Sequence, residues 1–236
     1  MIKRVNSPEE LSALPVKGVE AQKIRSLLLA YGTGYDFCRF YSAENAFAAQ
    51  LNADFIICDY GETDIDELSE FLGLSGFESV FCSDKLGCAL AKKLGFEPQK
   101  VNLMRFEGEF NEIKPELLSP SEAYSVIKTG FDFDFEPWYL DMSHRVRHGI
   151  SRFYGLFGSA LAVQYAINGE ALISQVATLP ENRGKGFASR LLSAVCGELR
   201  GFSVYVLCEN ELLEFYRKNG FVFTEKKCCI KRLSSS

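Results

Sequence analysis

A loop with two glycines and two basic residues follows an apolar run that suits a β-strand. The run covers 171–179, and Arg183, Gly184, Lys185 and Gly186 precede a segment with helical spacing of apolar residues. Glycine allows the backbone to approach a ligand closely. The free N–H groups and positive end of a helix favour phosphate. The loop therefore predicts a site for an anion such as a pyrophosphate.

A tyrosine near the end of the chain is a second group that could take part in chemistry. An apolar strand is predicted at 202–208, and the short helix ELLEFYRKNGF then carries Tyr216 and ends at Gly220. A phenol has a reference pKa of about 10, so it is protonated at neutral pH and can donate a proton to a leaving group.

Two well-known phosphate-binding loops do not fit this sequence. The Walker loop requires a hydroxyl residue after its lysine, whereas Lys185 is followed by Gly186. The dinucleotide loop requires a third glycine where this chain has Ser189.

The pattern [RQ]-x-x-G-x-[GA] does fit, at Arg183, Gly186 and Ala188. Together with the preceding V-A-T-L-P-E-N and with Tyr216, its basic neighbours and Gly-Phe downstream, it resembles the acetyl-CoA loop of the GNAT superfamily of N-acetyltransferases. The resemblance implies acetyl-CoA as co-substrate, direct transfer of the acetyl group to a primary amine, and Tyr216 as the general acid.

The resemblance also implies which residues contact acetyl-CoA. The backbone of the strand before the loop would pair with pantetheine, and the loop would hold the pyrophosphate. These residues are Val176, Ala177, Thr178, Arg183, Gly184, Lys185, Gly186, Phe187, Ala188, Ser189 and Asn210. Asn210 lies six residues before Tyr216, whereas the family's asparagine commonly lies seven before, where this chain has Glu209.

The acceptor is expected to contact the aromatic segment FDFDFEPWYLD and the following SHRVRHG, with Trp138, Asp141, His144 and Arg147 as candidate substrate residues. If the first segment is extended, its alternating carboxylates share a face, which could attract an amine or simply face solvent. His144 and His148 have helical i,i+4 spacing, but Arg145 stands where a zinc motif has glutamate, so no metal is expected. The general base is not identified; Glu209, Glu170 and Asp141 are candidates.

The order of predicted elements suggests an internal repeat. Arg39-Phe40-Tyr41 recurs as Arg152-Phe153-Tyr154, and Lys93-Leu94-Gly95-Phe96 resembles Lys218-Asn219-Gly220-Phe221. The first copy has the acidic DYGETD in place of the basic loop. We predict an α/β (α+β) fold with a mixed, mostly antiparallel sheet flanked by helices, in two tandem domains: 1–98, GNAT-like without a cofactor loop, and 99–236, the acetyltransferase. Chance similarity between two small α/β domains is the alternative.

Composition limits the remaining function classes. The net charge of −5 and the pI of about 5.3 argue against general nucleic-acid binding. No apolar run reaches the length of a membrane span, and the eight cysteines contain no C-x-x-C, so a cytoplasmic protein with reduced thiols is expected. The expected partner is a small-molecule amine or a peptide, and the chain is expected to be a monomer or homodimer. A non-catalytic module that binds CoA thioesters is the alternative function.

Overall fold

The computed structural model describes residues 1–132 and 134–232, and these fall into two compact units. Within the described residues, the first unit comprises Met1–Asn102 and the segment 225–232, and the second comprises Leu103–Thr224. The end of the chain therefore belongs to the first unit. The division into 1–98 and 99–236 assigns this segment to the second domain. No helix in the described ranges has the length and apolar character needed to cross a bilayer.

The first unit contains a sheet with helices α1 (Val19–Tyr31), α2 (Ile65–Ser75) and α3 (Asp84–Leu94), and a short 3₁₀ helix at Pro8–Leu11. Its strands are β1 (Lys3–Arg4), β2 (Cys38–Ala43), β3 (Ala46–Leu51), β4 (Asp54–Asp59) and β5 (Ser79–Ser83). They lie in the order β1-β2-β3-β4-β5. All neighbours are antiparallel except β4 and β5, which are parallel.

Local sequence signals explain the boundaries in this unit. Asn45 and Asn52 turn the chain between its hairpin strands with φ values of 61° and 54°, a conformation that asparagine tolerates better than most residues. The side chains of Asp64 and Ser83 cap α2 and α3 by accepting backbone N–H bonds, and Gly95 ends α3 in the left-handed conformation. The apolar faces of α2 and α3 pack in one core with residues of β4 and β5.

The second unit contains helices α4 (Pro120–Ile127), α5 (Phe135–Arg147), α6 (Phe187–Glu198) and α7 (Leu213–Lys218). Its strands are β6 (Gln99–Phe106), β7 (Glu116–Leu118), β8 (Arg152–Leu156), β9 (Ser159–Ile167), β10 (Glu170–Thr178) and β11 (Ser203–Cys208). Only the part of β6 from Leu103 onward belongs to this unit. Within this unit they lie in the order β6-β11-β10-β9-β8-β7. The dipeptide Asn168-Gly169, which is typical of a tight hairpin, joins β9 and β10 with φ values of 50° and 76°.

The two units share an order of elements. Each has three antiparallel strands, a helix, a strand parallel to the third and a further helix: β2-β3-β4-α2-β5-α3 in the first and β8-β9-β10-α6-β11-α7 in the second. The predicted mixed, mostly antiparallel fold is confirmed.

Two elements differ from the sequence expectation. The carboxylates of the acidic and aromatic segment would share a face only in an extended chain, but α5 begins at Phe135 with Asp134 as its N-cap residue and Glu136 in its first turn. Acidic residues at a helix N-terminus are favourable, which explains this start. Phe133, in the same segment, lies outside the described residues. The last strand, β12 (Phe221–Lys231), was not predicted; its residues from Lys227 onward pair with β5.

Candidate functional site

The parallel strands β10 and β11 of the second unit separate before they end. Their ladder runs from Glu170–Ser203 to Ile173–Val206. β10 then continues to Thr178 and β11 to Cys208 without further pairing between them. The carboxyl ends of two parallel strands thus diverge, which leaves backbone groups of β10 available to a ligand.

A β-bulge lies in β10 just beyond this point. Ser174 pairs with Ala162 and Ala177 with Ala160, so β10 uses one more residue than β9 over this interval. Gln175, inside the bulge, has a φ of 54°, which is unusual for a residue with a side chain. The bulge changes the direction of the backbone at Val176, the first of the residues expected to pair with pantetheine.

The basic loop leads into α6 with an open helix N-terminus. Gly184 and Gly186 have φ values of 74° and 75°, and no atom lies within 4 Å of a Cβ added to either. Gly186 is the N-cap residue of α6, no side chain of a described residue caps this end, and its first turn has no acidic residue. The N–H groups that begin α6 are therefore available to an anion.

The two basic side chains of the loop have different local roles. The Arg183 guanidinium donates to the carbonyl oxygens of Thr178 (3.1 Å) and Thr129 (2.8 Å). Nζ of Lys185 lies 3.3 Å from Oδ1 of Asn182 and is exposed. Arg183 thus ties the loop to the end of β10 and to the segment after α4, whereas Lys185 presents its charge to solvent.

Further contacts fix the end of β10 beside the β8–β9 turn. The hydroxyls of Ser159 and Thr178 are 2.8 Å apart, and the N–H of Leu179 donates to the carbonyl of Gly158 at 2.9 Å. Half-exposed Phe187, the first residue of α6, packs on the exposed ring of Phe157 with centroids 5.2 Å apart. The loop is therefore anchored on both sides before any ligand binds.

Tyr216 lies in α7 and is buried in the core of this unit. Its ring packs against Phe215 and Phe221, with centroid distances of 5.2 and 5.5 Å, in the cluster that contains Cys208 at the end of β11. Burial, and to a lesser degree the neighbouring Cys208, raises the pKa of Tyr216 above its ordinary value. No described residue is a hydrogen-bond partner of its hydroxyl. The phenol therefore stays protonated across the physiological range.

The carboxylate candidates and Asn210 occupy different positions. Glu209 and Asn210 follow β11 directly, at the diverging end of the strands, and both are exposed. Glu170 is buried at the opposite end of β10, eight residues from Thr178, or roughly 26 Å along an extended strand. Asp141 pairs with buried Arg145 at 2.8 Å. Of these carboxylates, Glu209 lies where the strands diverge.

Of the predicted substrate residues on α5, Trp138 contacts the bulge. Its indole N–H donates to Oε1 of Gln175 at 3.3 Å, and its ring packs against Tyr124 and Phe153. The other three side chains interact along their own helix: Asp141 with Arg145, His144 by stacking on His148 at 4.3 Å, and Arg147 with the carbonyl of Ser143. No group of three or more potential metal-ligating residues occurs in the described part of the chain.

The first unit has neither a β-bulge in the strand that corresponds to β10 nor an uncapped N-terminus on the helix that corresponds to α6. β3 and β4 pair without a register shift, so β4 has no bulge. The Asp64 carboxylate accepts the N–H of Glu67 at 3.0 Å, and Asp66 and Glu67 occupy the first turn of α2. These carboxylates would repel a phosphate from the N-terminus of α2.

Comparison with known proteins agrees with this arrangement. Residues 150–223 match the family model described as Acetyltransferase (GNAT) domain. This stretch includes β8 to α7, and hence the bulge, the basic loop and Tyr216. No curated protein sequence matches the chain.

Solved structures extend the similarity in fold over at least 90% of the chain. The chain is similar to a GCN5-related N-acetyltransferase from Kribbella flavida, with 12% identity, coverage of 92% of this chain and 97% of the other, and a TM-score of 0.61. It is similar to another from Sphaerobacter thermophilus, with 16% identity, coverage of 90% and 85%, and a TM-score of 0.58. It is also similar to a tandem GNAT protein from the clavulanic acid biosynthesis pathway, with 10% identity, coverage of 98% of this chain and 98% of the other, and a TM-score of 0.57.

These findings define the class of the protein. The fold is that of the GNAT acetyltransferases, including a tandem member, and residues 150–223 are a GNAT domain. The match over residues 150–223 supports an acyltransferase, and a fold of this class supports acetyl transfer to an acceptor.

Sequence reasoning missed several residues that shape the site. Thr129, which receives the Arg183 side chain, and Ser159, which contacts Thr178, carry no motif of their own. Gln175 carries an amide, which cannot act as a base, and its left-handed backbone has no signal in the sequence. The glycines and basic residues of the loop are evident in the sequence, whereas the contacts that hold the loop required the structure.

Proposed function

We propose that the second unit is an acetyl-CoA-dependent N-acetyltransferase that transfers acetyl directly to the primary amine of a small molecule or peptide. One observation carries the proposal. The diverging ends of β10 and β11, with the bulge at Gln175, lead into the uncapped N-terminus of α6. Such an arrangement can hold an extended amide chain and a phosphate group in succession.

The residues present fit acetyl-CoA at both ends of this path. The N–H groups of Phe187, Ala188 and Ser189 begin α6 behind glycines 184 and 186, and would bind the pyrophosphate with Lys185. Arg183 would support the loop and contribute its charge. The backbone of Val176, Ala177 and Thr178 would pair with the pantetheine amides, and Asn210, after β11, would contact the same chain.

Acetyl-CoA supplies an acetyl group already activated as a thioester, so the protein needs no nucleophile of its own. Tyr216 is proposed to stabilise the departing sulfur by hydrogen bonding. Because burial raises its pKa, the neutral phenol is the form present at neutral pH. A thiol has a reference pKa of about 8.5, so complete proton transfer from this phenol to a thiolate is unfavourable. Hydrogen-bond donation is therefore its main contribution.

The acceptor amine must lose a proton before or during attack, because an alkylamine has a pKa of about 10. We assign the proton acceptor to Glu209, which is exposed at the diverging end of β11 and can act directly or through water. Trp138 is proposed to form part of the acceptor surface through its contact with Gln175. Asp141, His144 and Arg147 lie on the same helix and would contribute to acceptor binding.

The first unit is proposed to be a GNAT-like unit without cofactor binding. Its order of elements supports this proposal, as do its unbulged β4 and its acidic α2 N-terminus. The chain would then bind one acetyl-CoA, in the second unit.

Calorimetric titration with acetyl-CoA, followed by an assay of CoA release against panels of small amines and peptides, tests the proposal. One site per chain and acceptor-dependent CoA release are expected. Binding without release by any amine would instead favour a non-catalytic module for CoA thioesters. Absence of binding would refute the proposed cofactor site.

A further inference from the structure

A cavity in the first unit lies beyond the point where the pairing of its own parallel strands ends. β4 and β5 pair from Asp54–Ser79 to Ile56–Phe81, and β4 then continues to Asp59 and β5 to Ser83 without further pairing between them. Beyond this point is a cavity of about 280 Å³. In α/β folds, ligands bind outside the carboxyl ends of parallel strands, so the position is suited to a ligand.

The cavity is lined by charges of both signs and by an apolar wall. Asp59 ends β4, Glu62 lies in the loop before α2, and Lys85 lies in the first turn of α3. Among the described residues, none forms an ion pair with any of these three side chains. Ile65, Leu86 and Ala89 provide apolar surface. The lining thus combines two carboxylates, one ammonium group and a small apolar wall.

Local contacts hold the acidic side of the cavity in place. The Ser83 hydroxyl donates to Oδ2 of Asp59 at 3.1 Å, while the side chain of Asn45 donates to the carbonyl of Glu62 at 2.8 Å. A Cβ at Gly61 would come within 2.9 Å of the Asn45 side chain, so the loop packs closely on the β2–β3 turn. Both carboxylates are therefore attached to a fixed backbone.

The size and charge of the cavity indicate the class of ligand. Small-molecule pockets typically measure ~300–1,000 Å³, and a water molecule takes about 30 Å³ in the liquid. A volume of about 280 Å³ suits a molecule well below drug size. The carboxylates favour an ammonium group, Lys85 favours a carboxylate, and the apolar wall favours a hydrocarbon side chain.

We propose that this cavity binds a small zwitterion of the free amino acid class with an apolar side chain. Its ammonium group would lie against Asp59 and Glu62, its carboxylate against Lys85, and its side chain against Ile65 and Leu86. The site is separate from the proposed acetyl-CoA site, which lies in the second unit. The first unit would then be a ligand-binding unit that has exchanged a phosphate-binding loop for an acidic one.

Calorimetry with three matched probes tests the proposal: L-leucine, N-acetyl-L-leucine, which lacks the ammonium group, and isoamylamine, which lacks the carboxylate. L-Leucine is expected to bind at least tenfold more tightly than either derivative. Glu62→Gln and Lys85→Gln should each weaken leucine binding at least tenfold. Glu70→Gln on α2 and Lys92→Gln on α3 are exposed controls outside the cavity lining, and should bind leucine as the wild type does.

Methyl NMR locates the bound ligand, because the signals of Ile65 and Ala89 should shift on addition of leucine. Gly186→Glu, in the second unit, should leave leucine binding unchanged even if it abolishes acetyl-CoA binding. Failure of the wild type to bind leucine would overturn the proposal. Binding of leucine by the Glu62→Gln and Lys85→Gln variants with the affinity of the wild type would also overturn it. Neither result depends on whether the second unit binds acetyl-CoA.

Discussion

The indole N–H of Trp138 donates to Oε1 of Gln175 at 3.3 Å, and so joins α5 to the residue of β10 that has a positive φ. The hydrogen bond connects the helix that carries the candidate acceptor residues to the bulge that precedes the proposed pantetheine contacts. One side-chain pair thus connects the two proposed binding regions.

Replacement of Trp138 by Phe tests this link. Phe retains an aromatic ring to pack against Tyr124 and Phe153 but leaves the Gln175 amide without its donor. Loss of one such bond costs about 1 kcal/mol, so acetyl-CoA affinity is expected to fall roughly fivefold if the bulge loses its orientation. Tyr139→Phe, on the same helix, is the matched control. Unchanged affinity in the Trp138 variant, measured by calorimetry, would disconnect the bulge from cofactor binding.

Gly186→Glu should abolish acetyl-CoA binding. The new carboxylate would stand at the N-terminus of α6, where a phosphate is proposed, and like charges about 4 Å apart repel by ~4 kcal/mol near a protein surface. A loss of affinity of about 10³-fold is expected. Gly149→Glu separates this effect from backbone strain, because Gly149 has a φ of 71° and equally open surroundings at the end of α5. Acetyl-CoA binding by the Gly186 variant at the affinity of the Gly149 variant would refute the loop assignment.

Tyr216→Phe should lower kcat about 10²-fold while leaving the Kd for acetyl-CoA nearly unchanged. The ring contacts with Phe215 and Phe221 remain, and only the hydroxyl is removed. Tyr154→Phe is the control, since Tyr154 is a buried tyrosine of the same core. Because the pKa of Tyr216 is raised, the wild-type pH profile should show no loss of activity from its ionisation below pH ~10. Equal losses in kcat and affinity would argue for a structural role instead.

Glu209→Gln tests the proposed proton acceptor. The amide is nearly isosteric but cannot accept a proton, so kcat/KM should fall by about 10²-fold or more near neutral pH. The deficit should shrink at high pH, where more of the acceptor amine is already neutral. Glu211→Gln, two residues further along an exposed segment, is the control. A deficit in Glu209→Gln that is the same at every pH would remove Glu209 from proton transfer.

Much of the local structure could be predicted because the responsible signals are close in sequence. Asparagine turns bound β3 and β4, and the Ser83 cap and Gly95 bound α3, so these boundaries follow from residues next to them in the sequence. The basic loop was recognised from the residue types themselves, because glycine and positive charge at a helix start have a direct physical meaning.

The elements that could not be predicted depend on distant partners. The sequence of β12 includes Lys226 and Lys227 among apolar and polar residues and has no clear strand pattern. It forms a strand because it pairs with β5, far earlier in the chain. Arg183 reaches the carbonyl of Thr129, 54 residues away. The left-handed backbone of Gln175 exists within the β9–β10 ladder and has no local cause. Tertiary contacts, not propensities, determine these features.

The final strand is held in the first unit by a buried ion pair. Nζ of Lys227 lies 2.7 Å from Oε1 of Glu20 on α1, and both side chains are less than a tenth exposed. Lys227→Met would leave the Glu20 carboxylate buried without this partner, which should lower the free energy of unfolding by about 3–5 kcal/mol. Lys226→Met, at an exposed neighbouring position, should change it by less than about 0.5 kcal/mol. Urea denaturation followed by circular dichroism measures both.

The same ion pair predicts a loss of stability in alkaline solution. Burial acts to lower the pKa of Lys227, but the carboxylates of Glu20 and Glu225 outweigh it, so the pKa is raised in the folded protein. A raised pKa contributes stability that is complete below the unfolded value of about 10.4 and is lost as pH rises through the folded value. The double variant Glu20→Leu/Lys227→Met replaces the pair with apolar groups and should lack this contribution. Wild type should therefore lose stability relative to the double variant above pH ~10.4, and parallel pH curves would show that the pair is not coupled to folding.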